Sequence, residues 1–151
     1  MGFEVFLSFR GLDTRCNFTS CLHHEMVEKG IRVFKDDKEL QTGQKIEGKL
    51  LQALNDSQIY IPIFSKGFAS SPWCLHEVVH MVNCTSKSEG KKQILPVFLD
   101  VETDDVKLKT NLYKDALSNH KEKYGPDQVK CWEDALVEVS TTVGWKLEGK
   151  V

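Results

Sequence analysis

The 151-residue sequence lacks the features that mark secreted, membrane-spanning and disulfide-stapled proteins. No leader segment precedes the first apolar run, and no apolar run approaches the length needed to cross a bilayer. The five cysteines are odd in number, and no two of them form a C-x-x-C pair. We therefore expect a protein of the reducing cytosol, with the nucleus as a second compartment, and no membrane partner.

The sequence also has no excess of positively charged residues. The chain carries 20 Lys and Arg against 22 Asp and Glu, a formal net charge of -2. This balance is too acidic for a sequence-independent grip on phosphate backbones, so nucleic acid is not an expected partner. The length fits one domain that can bury its own core, and the sequence shows neither a linker nor an internal repeat.

What the sequence does contain is an alternation of strand-like and helix-like segments. Four short apolar runs predict strands: Val5-Phe6-Leu7 with Phe9, Ile31–Phe34, Ile59–Phe64 and Ile94–Leu99. Apolar residues at helical spacing predict five helices, over Asp13–Lys29, around Ile46–Leu54, and over Trp73–Cys84, Val106–Lys123 and Gln128–Val143. Gly125-Pro126 separates the last two helices. The alternation predicts an α/β fold with a parallel sheet and helices on both faces.

In an open sheet of this kind ligands bind outside the carboxyl ends of the strands. The first loop at that edge leaves a strand, turns at a glycine and enters a helix, so its amides and arginines suit a ribose or a phosphate. Its residues are Arg10, Gly11, Leu12, Asp13, Thr14 and Arg15. In the alternative interpretation the loop is a plain connection and its arginines are solvated. A second loop, around Gly43, is long and charged, which favours a functional role.

A third segment at the same edge contains Trp73 and Glu77. Ser70-Ser71-Pro72 suits a helix start, because serine caps a helix and proline is tolerated in its first turn. Trp73 and Glu77 are four residues apart and so share one helical face. Helical winding places Glu77 at the border of an apolar arc formed by Cys74, Leu75, Val78, Val79, Met81 and Val82. We therefore expect Glu77 to be partly shielded from water.

A partly shielded carboxylate interacts strongly with positive charge that develops during a reaction, such as an oxocarbenium-like ribosyl centre. Trp73 would be placed to stack a planar ring. In the alternative interpretation Glu77 makes a structural hydrogen bond or faces water, and Trp73 anchors the core.

A competing motif overlaps this segment. His76-Glu77-Val78-Val79-His80 matches the H-E-x-x-H pattern, in which two histidines bind zinc and the glutamate activates water. Glu102 lies at a plausible separation for a third ligand. Helical winding, however, places both histidines on the polar side of the helix, where we expect them to be solvated. We therefore predict no metal site.

Other catalytic patterns are missing from the sequence. No Ser-His-Asp triad, P-loop or EF-hand pattern is found. A phosphoacceptor domain of the same topology needs an aspartate where the third predicted strand ends, and this chain has Phe64-Ser65 there. The cysteines Cys16, Cys21, Cys74, Cys84 and Cys131 are interpreted as small core or surface residues.

The combined motifs resemble the TIR domains of plant intracellular immune receptors. The resemblance rests on the run from Val5 to Arg15, on Phe34-Lys35-Asp36-Asp37, on Gly43, and on Trp73-Cys74-Leu75-His76-Glu77, in that order and at matching spacing. Each motif alone is weak, but together they are specific. They extend over nearly the whole chain, and we expect one TIR domain over residues 3–147, either excised from a longer receptor or a TIR-only protein.

The resemblance implies a flavodoxin-like three-layer fold with a five-stranded parallel sheet. It implies that Glu77 is the catalytic residue of an NAD(P)⁺ hydrolase that releases nicotinamide, with no cofactor besides this substrate. By the same analogy the loop from Arg10 to Arg15 and the loop around Gly43 border the dinucleotide, with Trp73 beside Glu77.

The resemblance also implies self-association with other TIR domains, in homo- or hetero-oligomers, as a step in plant defence signalling. One surface of this kind centres on a Ser-His pair in the first helix. That pair aligns with Ser20 and Cys21, so the histidine is missing here. The alternative function is a non-catalytic scaffold that acts through self-association alone.

Overall fold

The computed structural model describes residues 2–11, 18–35 and 48–147. The strands in these ranges are β1 (Val5–Ser8), β2 (Val33–Lys35), β3 (Ile59–Phe64), β4 (Gln93–Ile94), β5 (Val97–Leu99) and β6 (Trp145–Leu147). The helices are α1 (Phe18–Glu28), α2 (Gly48–Asp56), α3 (Pro72–Ser86), α4 (Thr103–Val106) and α5 (Asn111–Ser140), with a 3-10 turn at Phe68–Ser70. Within these ranges no helix combines the length and the apolar character needed to cross a membrane.

All strand pairs are parallel, and the sheet runs in the order β2-β1-β3-β5-β6 with β4 also paired to β3. The β4 and β5 segments pair with the two ends of β3 in one continuous register, so they occupy a single position in the sheet. The sheet thus has five positions, and the strand order reverses between β1 and β3. This is the flavodoxin-like arrangement that the sequence motifs predicted, and the prediction is confirmed.

The single predicted strand Ile94–Leu99 is interrupted for a physical reason. The last ladder bond before the gap runs from the Leu95 amide to the Tyr60 carbonyl, at 2.8 Å. Beyond it lie Pro62 in β3 and Pro96 in the gap, and neither residue has an amide hydrogen to donate to a ladder. Pairing resumes where Ile63 meets Val97.

The sheet has a core on each face, as the alternation of side chains along its strands requires. On one face Phe6, Tyr60 and Phe64 pack with residues of α2, α3 and α5. On the other face a smaller cluster forms around Leu7 and Ile63, and the half-buried Phe18, Leu22 and Met26 of α1 cover it. Full burial of each such large side chain contributes about 1.5–3 kcal/mol, so the two clusters hold the helices on both faces of the sheet.

The carboxyl-terminal third differs from the sequence prediction in two places. The predicted helix from Val106 is divided, because Leu108 adopts a positive φ of 67° between α4 and α5. The predicted break at Gly125-Pro126 is confirmed, since Gly125 has non-helical angles (φ 86°, ψ 159°) inside α5. The edge strand β6 was not among the predicted runs. It pairs with β5, and Lys146 of β6 forms a 2.7 Å ion pair with Glu102.

The approach of β6 to the sheet requires a glycine just before it. A Cβ added at Gly144 would lie 2.2 Å from the Pro96 carbonyl oxygen, which itself accepts a hydrogen bond from the Trp145 amide at 3.0 Å.

We predict that Gly144→Ala lowers the free energy of unfolding by about 1–3 kcal/mol, because β6 must move away from Pro96. Urea denaturation measures this change. Val143→Ala, at an 88% exposed neighbouring position, is the control and should stay within about 0.5 kcal/mol of the parent. An equal loss in both variants would contradict the close-contact explanation.

Candidate functional site

The candidate site lies where β1 ends and α3 begins. Ser71 caps α3 as predicted, because its hydroxyl accepts the Cys74 amide at 3.2 Å, and Pro72 occupies the first turn. The Cys74 thiol in turn contacts the carbonyl of Phe9, just after β1, at 3.4 Å. These contacts fix the first turn of α3 beside the carboxyl edge of the sheet, at the point where the strand order reverses.

Glu77 lies one turn further along α3 and points to the end of β1. Its Oε1 accepts a 2.6 Å hydrogen bond from the Ser8 hydroxyl. The Glu77 side chain is 1% exposed and Ser8 is fully buried. The carboxylate is therefore more deeply buried than the partial shielding that helical winding predicted, because the buried hydroxyl of β1 provides a polar partner inside the core. Of the alternatives considered from sequence, a Glu77 that faces water is wrong.

The other predicted substrate-binding residues are only partly within the described ranges. Arg10 is half-buried and Gly11 is buried, and both follow shortly after the end of β1, so they lie at the same edge as Glu77. Trp73 is half-buried and packs against the core cluster at the start of α3. The remaining predicted residues, Leu12, Asp13, Thr14, Arg15 and Gly43, lie outside the described residues.

The segment that leads into α3 is held from behind by α5. The Tyr113 hydroxyl donates to the carbonyl of Ser65, just after β3, at 2.7 Å. His120 contacts the carbonyl of Ala69 through Nε2 at 3.0 Å. Because α5 anchors both ends of this connection, the position of α3 relative to the sheet edge is set by tertiary contacts as well as by its own cap.

The two histidines of the H-E-x-x-H match are not solvated as predicted. His76 and His80 are both half-buried, and the His76 ring packs edge-on against Trp132 with 5.2 Å between ring centroids. The indole of Trp132 thus covers His76 on a face of α3 that was predicted from helical winding to be solvated. Over residues 2–11, 18–35 and 48–147, no three His, Cys, Asp or Glu side chains are grouped so that they could hold a metal ion. Glu102 instead pairs with Lys146.

Sequence reasoning missed Ser8 as a site residue. A usable signal was present, because side chains alternate along a strand and Ser8 therefore shares the face of Phe6. That face packs against α3, so a hydroxyl there is a polar group among apolar neighbours. Such a group needs a buried partner, and Glu77 is the partner that it finds.

A surface depression of about 440 Å³ lies at the opposite edge of the sheet. Its lining includes Val82 near the end of α3, Ile94 of β4 and Val139 near the end of α5. It is predominantly apolar, and Glu138 is the one titratable side chain among the described residues that line it. Because it offers no set of convergent polar groups, it is a weaker candidate for chemistry than the Glu77 edge.

Burial on α3 also predicts a dependence of stability on pH. Burial, and secondarily the charge of His80, lower the pKa of His76 below its ordinary value of 6.5. Burial likewise lowers the pKa of His80. The unfolded chain therefore binds protons more readily than the folded chain, and stability should fall as pH drops below 6.5.

We expect His76→Gln to flatten this dependence, because it removes one of the two half-buried imidazoles. Thermal melting between about pH 7.5 and about pH 5.5 measures the slope for the parent and the variant. His24→Gln, on the exposed surface of α1, is the matched control for loss of a histidine. If the melting temperature of His76→Gln falls with pH as steeply as that of the parent, burial of His76 is not the cause.

Comparison with known proteins identifies the family. The TIR domain model matches residues 2–150. The TMV resistance protein N of Nicotiana glutinosa is 40% identical over 144 residues, which cover 94% of this chain and 12% of that protein. The disease resistance protein RUN1 of Vitis rotundifolia is 36% identical over 147 residues, which cover 97% of this chain and 11% of that protein. The chain thus spans about a tenth of the length of these curated relatives.

A solved structure agrees with these sequence similarities. The TIR domains in the structure of the activated Roq1 resistosome directly recognizing the pathogen effector XopQ superpose with a TM-score of 0.84 at 37% identity, over 96% of this chain and 87% of that chain. The overall fold is therefore shared with a solved TIR domain that is also similar in sequence. The chain belongs to the TIR domain family.

Proposed function

We propose that this domain cleaves the nicotinamide–ribose bond of NAD⁺ or NADP⁺, with Glu77 as the catalytic residue, and that the cleavage is a signal in plant innate immunity. The observation that carries the proposal is the buried Glu77 carboxylate, held at the carboxyl edge of the sheet where the strand order reverses. Ligands of such sheets bind at this point. The motif resemblance implies the same residue and the same reaction.

The proposed chemistry uses Glu77 for electrostatic stabilisation. Nicotinamide leaves as a neutral base with the electron pair of the broken C1′–N bond, and positive charge develops on the ribose. The nearby carboxylate stabilises this charge in an environment from which water is largely excluded, where such interactions are strongest. Water then forms the new C1′–O bond and releases one proton. The products are nicotinamide, ADP-ribose or its phosphorylated form, and a proton.

The residues around Glu77 suit the rest of the substrate. Trp73, one helical turn before Glu77, offers a planar surface for the nicotinamide ring. Arg10 and Gly11 lie shortly after the end of β1, and we propose that the guanidinium and the glycine backbone contact the ribose and the phosphates. Leu12, Asp13, Thr14, Arg15 and Gly43 are proposed to border the dinucleotide on the family resemblance alone.

Deep burial of the carboxylate bears on how activity would be controlled. A side chain that is 1% exposed meets a dinucleotide only after the structure around it opens. We expect this opening to accompany self-association with like domains, which makes cleavage dependent on protein concentration. The solved relative is itself an activated assembly, the Roq1 resistosome. A free domain would then be a resting state.

The proposed self-association surface is α1. Cys21 is exposed on this helix, beside the half-buried Ser20. The curated relatives are disease resistance proteins, so we propose the cytoplasm and the nucleus as the sites of action. The runner-up function is a scaffold that assembles through this surface without turnover, and it predicts the same fold.

Substitution of Glu77 tests the catalytic proposal. We expect the concentrated wild-type protein to release nicotinamide from NAD⁺ and NADP⁺, and Glu77→Gln to lower the rate by at least about 100-fold, because the amide cannot stabilise the ribosyl cation. Glu138→Gln, an exposed glutamate on α5, is the matched control and should keep the parental rate. Chromatography of the nucleotide products measures the rate and identifies the product. A wild-type protein without turnover at any concentration would favour the scaffold.

Substitution on α1 tests the self-association surface. We expect Cys21→Arg to lower the average mass seen by light scattering at high concentration, and to lower nicotinamide release by about threefold or more, because it places bulk and charge in the contact. Gln52→Arg, which adds the same charge at an exposed position of α2, should leave both unchanged. Equal effects of the two substitutions would assign the loss to net charge and not to α1.

A further inference from the structure

The contact between Ser8 and Glu77 joins residues that lie 69 positions apart in the chain. The serine oxygen is 2.6 Å from Oε1, which is in the range of a hydroxyl that donates to an ionised carboxylate. Both residues are almost fully buried. Removal of the hydroxyl would therefore leave a buried carboxylate oxygen without this donor, and water cannot readily replace it.

Packing alone does not account for a serine at this position. Ser8 shares a face of β1 with Phe6, and that face packs against an apolar cluster that includes Leu75 and Val78 of α3. Burial of a hydroxyl in such surroundings is unfavourable unless it finds a hydrogen-bond partner. Glu77 is a carboxylate that is buried against the same strand. The two polar groups thus make each other's burial possible.

The hydrogen bond is not what holds α3 in place. The first turn of α3 is already fixed by the Ser71 cap and by the contact between Cys74 and the Phe9 carbonyl. Further along the helix Val78 and Met81 are fully buried in the core. Loss of one hydroxyl from β1 therefore leaves the helix docked, and its direct effect falls on the Glu77 carboxylate.

We propose that Ser8 is a positioning residue for Glu77, and this inference rests on the NAD(P)⁺ cleavage proposed above. The hydroxyl holds the carboxylate in one rotamer at the carboxyl edge of the sheet and favours its ionised form, because a donated hydrogen bond stabilises the charged state. This role requires no contact between Ser8 and the reacting atoms. Ser8 acts by fixing the direction and the charge of the Glu77 carboxylate.

The test compares three variants of the domain under conditions in which the wild type turns over. We expect Ser8→Ala to lower kcat for nicotinamide release by about 10- to 100-fold, the effect of one lost hydrogen bond to a charged group, with KM changed by less than about threefold. Ser8→Thr retains the hydroxyl and should recover kcat to within about fivefold of the parent. Ser140→Ala, at a buried serine of α5 whose hydroxyl donates to the Val137 carbonyl, is the matched control and should leave kcat and KM unchanged.

Thermal melting separates a positioning role from a folding role. Ser8→Ala should melt cooperatively and within a few degrees of Ser140→Ala, since the helix contacts remain. If the additional methyl group of Ser8→Thr prevents folding, Ser8→Cys decides the question, because it keeps the volume and offers a weaker donor. Its kcat should then lie between those of Ser8→Ala and the parent.

The outcomes distinguish the two proposals. If Glu77→Gln is inactive while Ser8→Ala keeps the parental kcat, the positioning role of Ser8 is overturned and the proposed function stands. A fall in kcat of Ser8→Ala that Thr and Cys both fail to relieve also overturns it. If the wild type releases no nicotinamide at any concentration, the proposed function itself fails, and the inference on Ser8 fails with it.

Discussion

The candidate site depends on one hydrogen bond, between the Ser8 hydroxyl at the end of β1 and the Glu77 carboxylate in the second turn of α3. A carboxylate among apolar side chains is unstable unless a donor meets it. Here a donor comes from the strand against which the helix packs. The bond therefore stabilises the buried carboxylate and, at the same time, directs it to the edge of the sheet where the strand order reverses.

The rest of the fold can be understood as the support for this contact. Alternation along β1 sends Phe6 and Ser8 to the face covered by α3, and Leu7 to the face covered by α1. Parallel pairing with β2 and β3 places β1 inside the sheet, so its carboxyl end lies between those of two other strands. From the other side, α5 contacts the carbonyls of Ser65 and Ala69, which lead into α3. Contacts with β1 and with α5 thus fix the start of α3, the helix that carries the Glu77 carboxylate.

Local patterns predicted much of this arrangement. The β3 bounds, the serine cap and proline at the start of α3, and the break at Gly125 all follow from short-range preferences of the chain, and all are confirmed. The two histidines of α3 were predicted wrongly. Helical winding reports which residues share a face, but it cannot report that Trp132 packs over that face from a segment more than fifty residues away.

By itself, the sequence determined the alternation of strands and helices, the family, and the identity of the carboxylate proposed for catalysis, because these depend on periodicity and on motifs that are contiguous in the chain. Only the tertiary structure decided how deeply Glu77 is buried, that Ser8 is its partner, and that β6 completes the sheet beside β5. The reason is physical. Burial and long-range hydrogen bonds belong to pairs of segments brought together by packing, and neither segment carries that information alone.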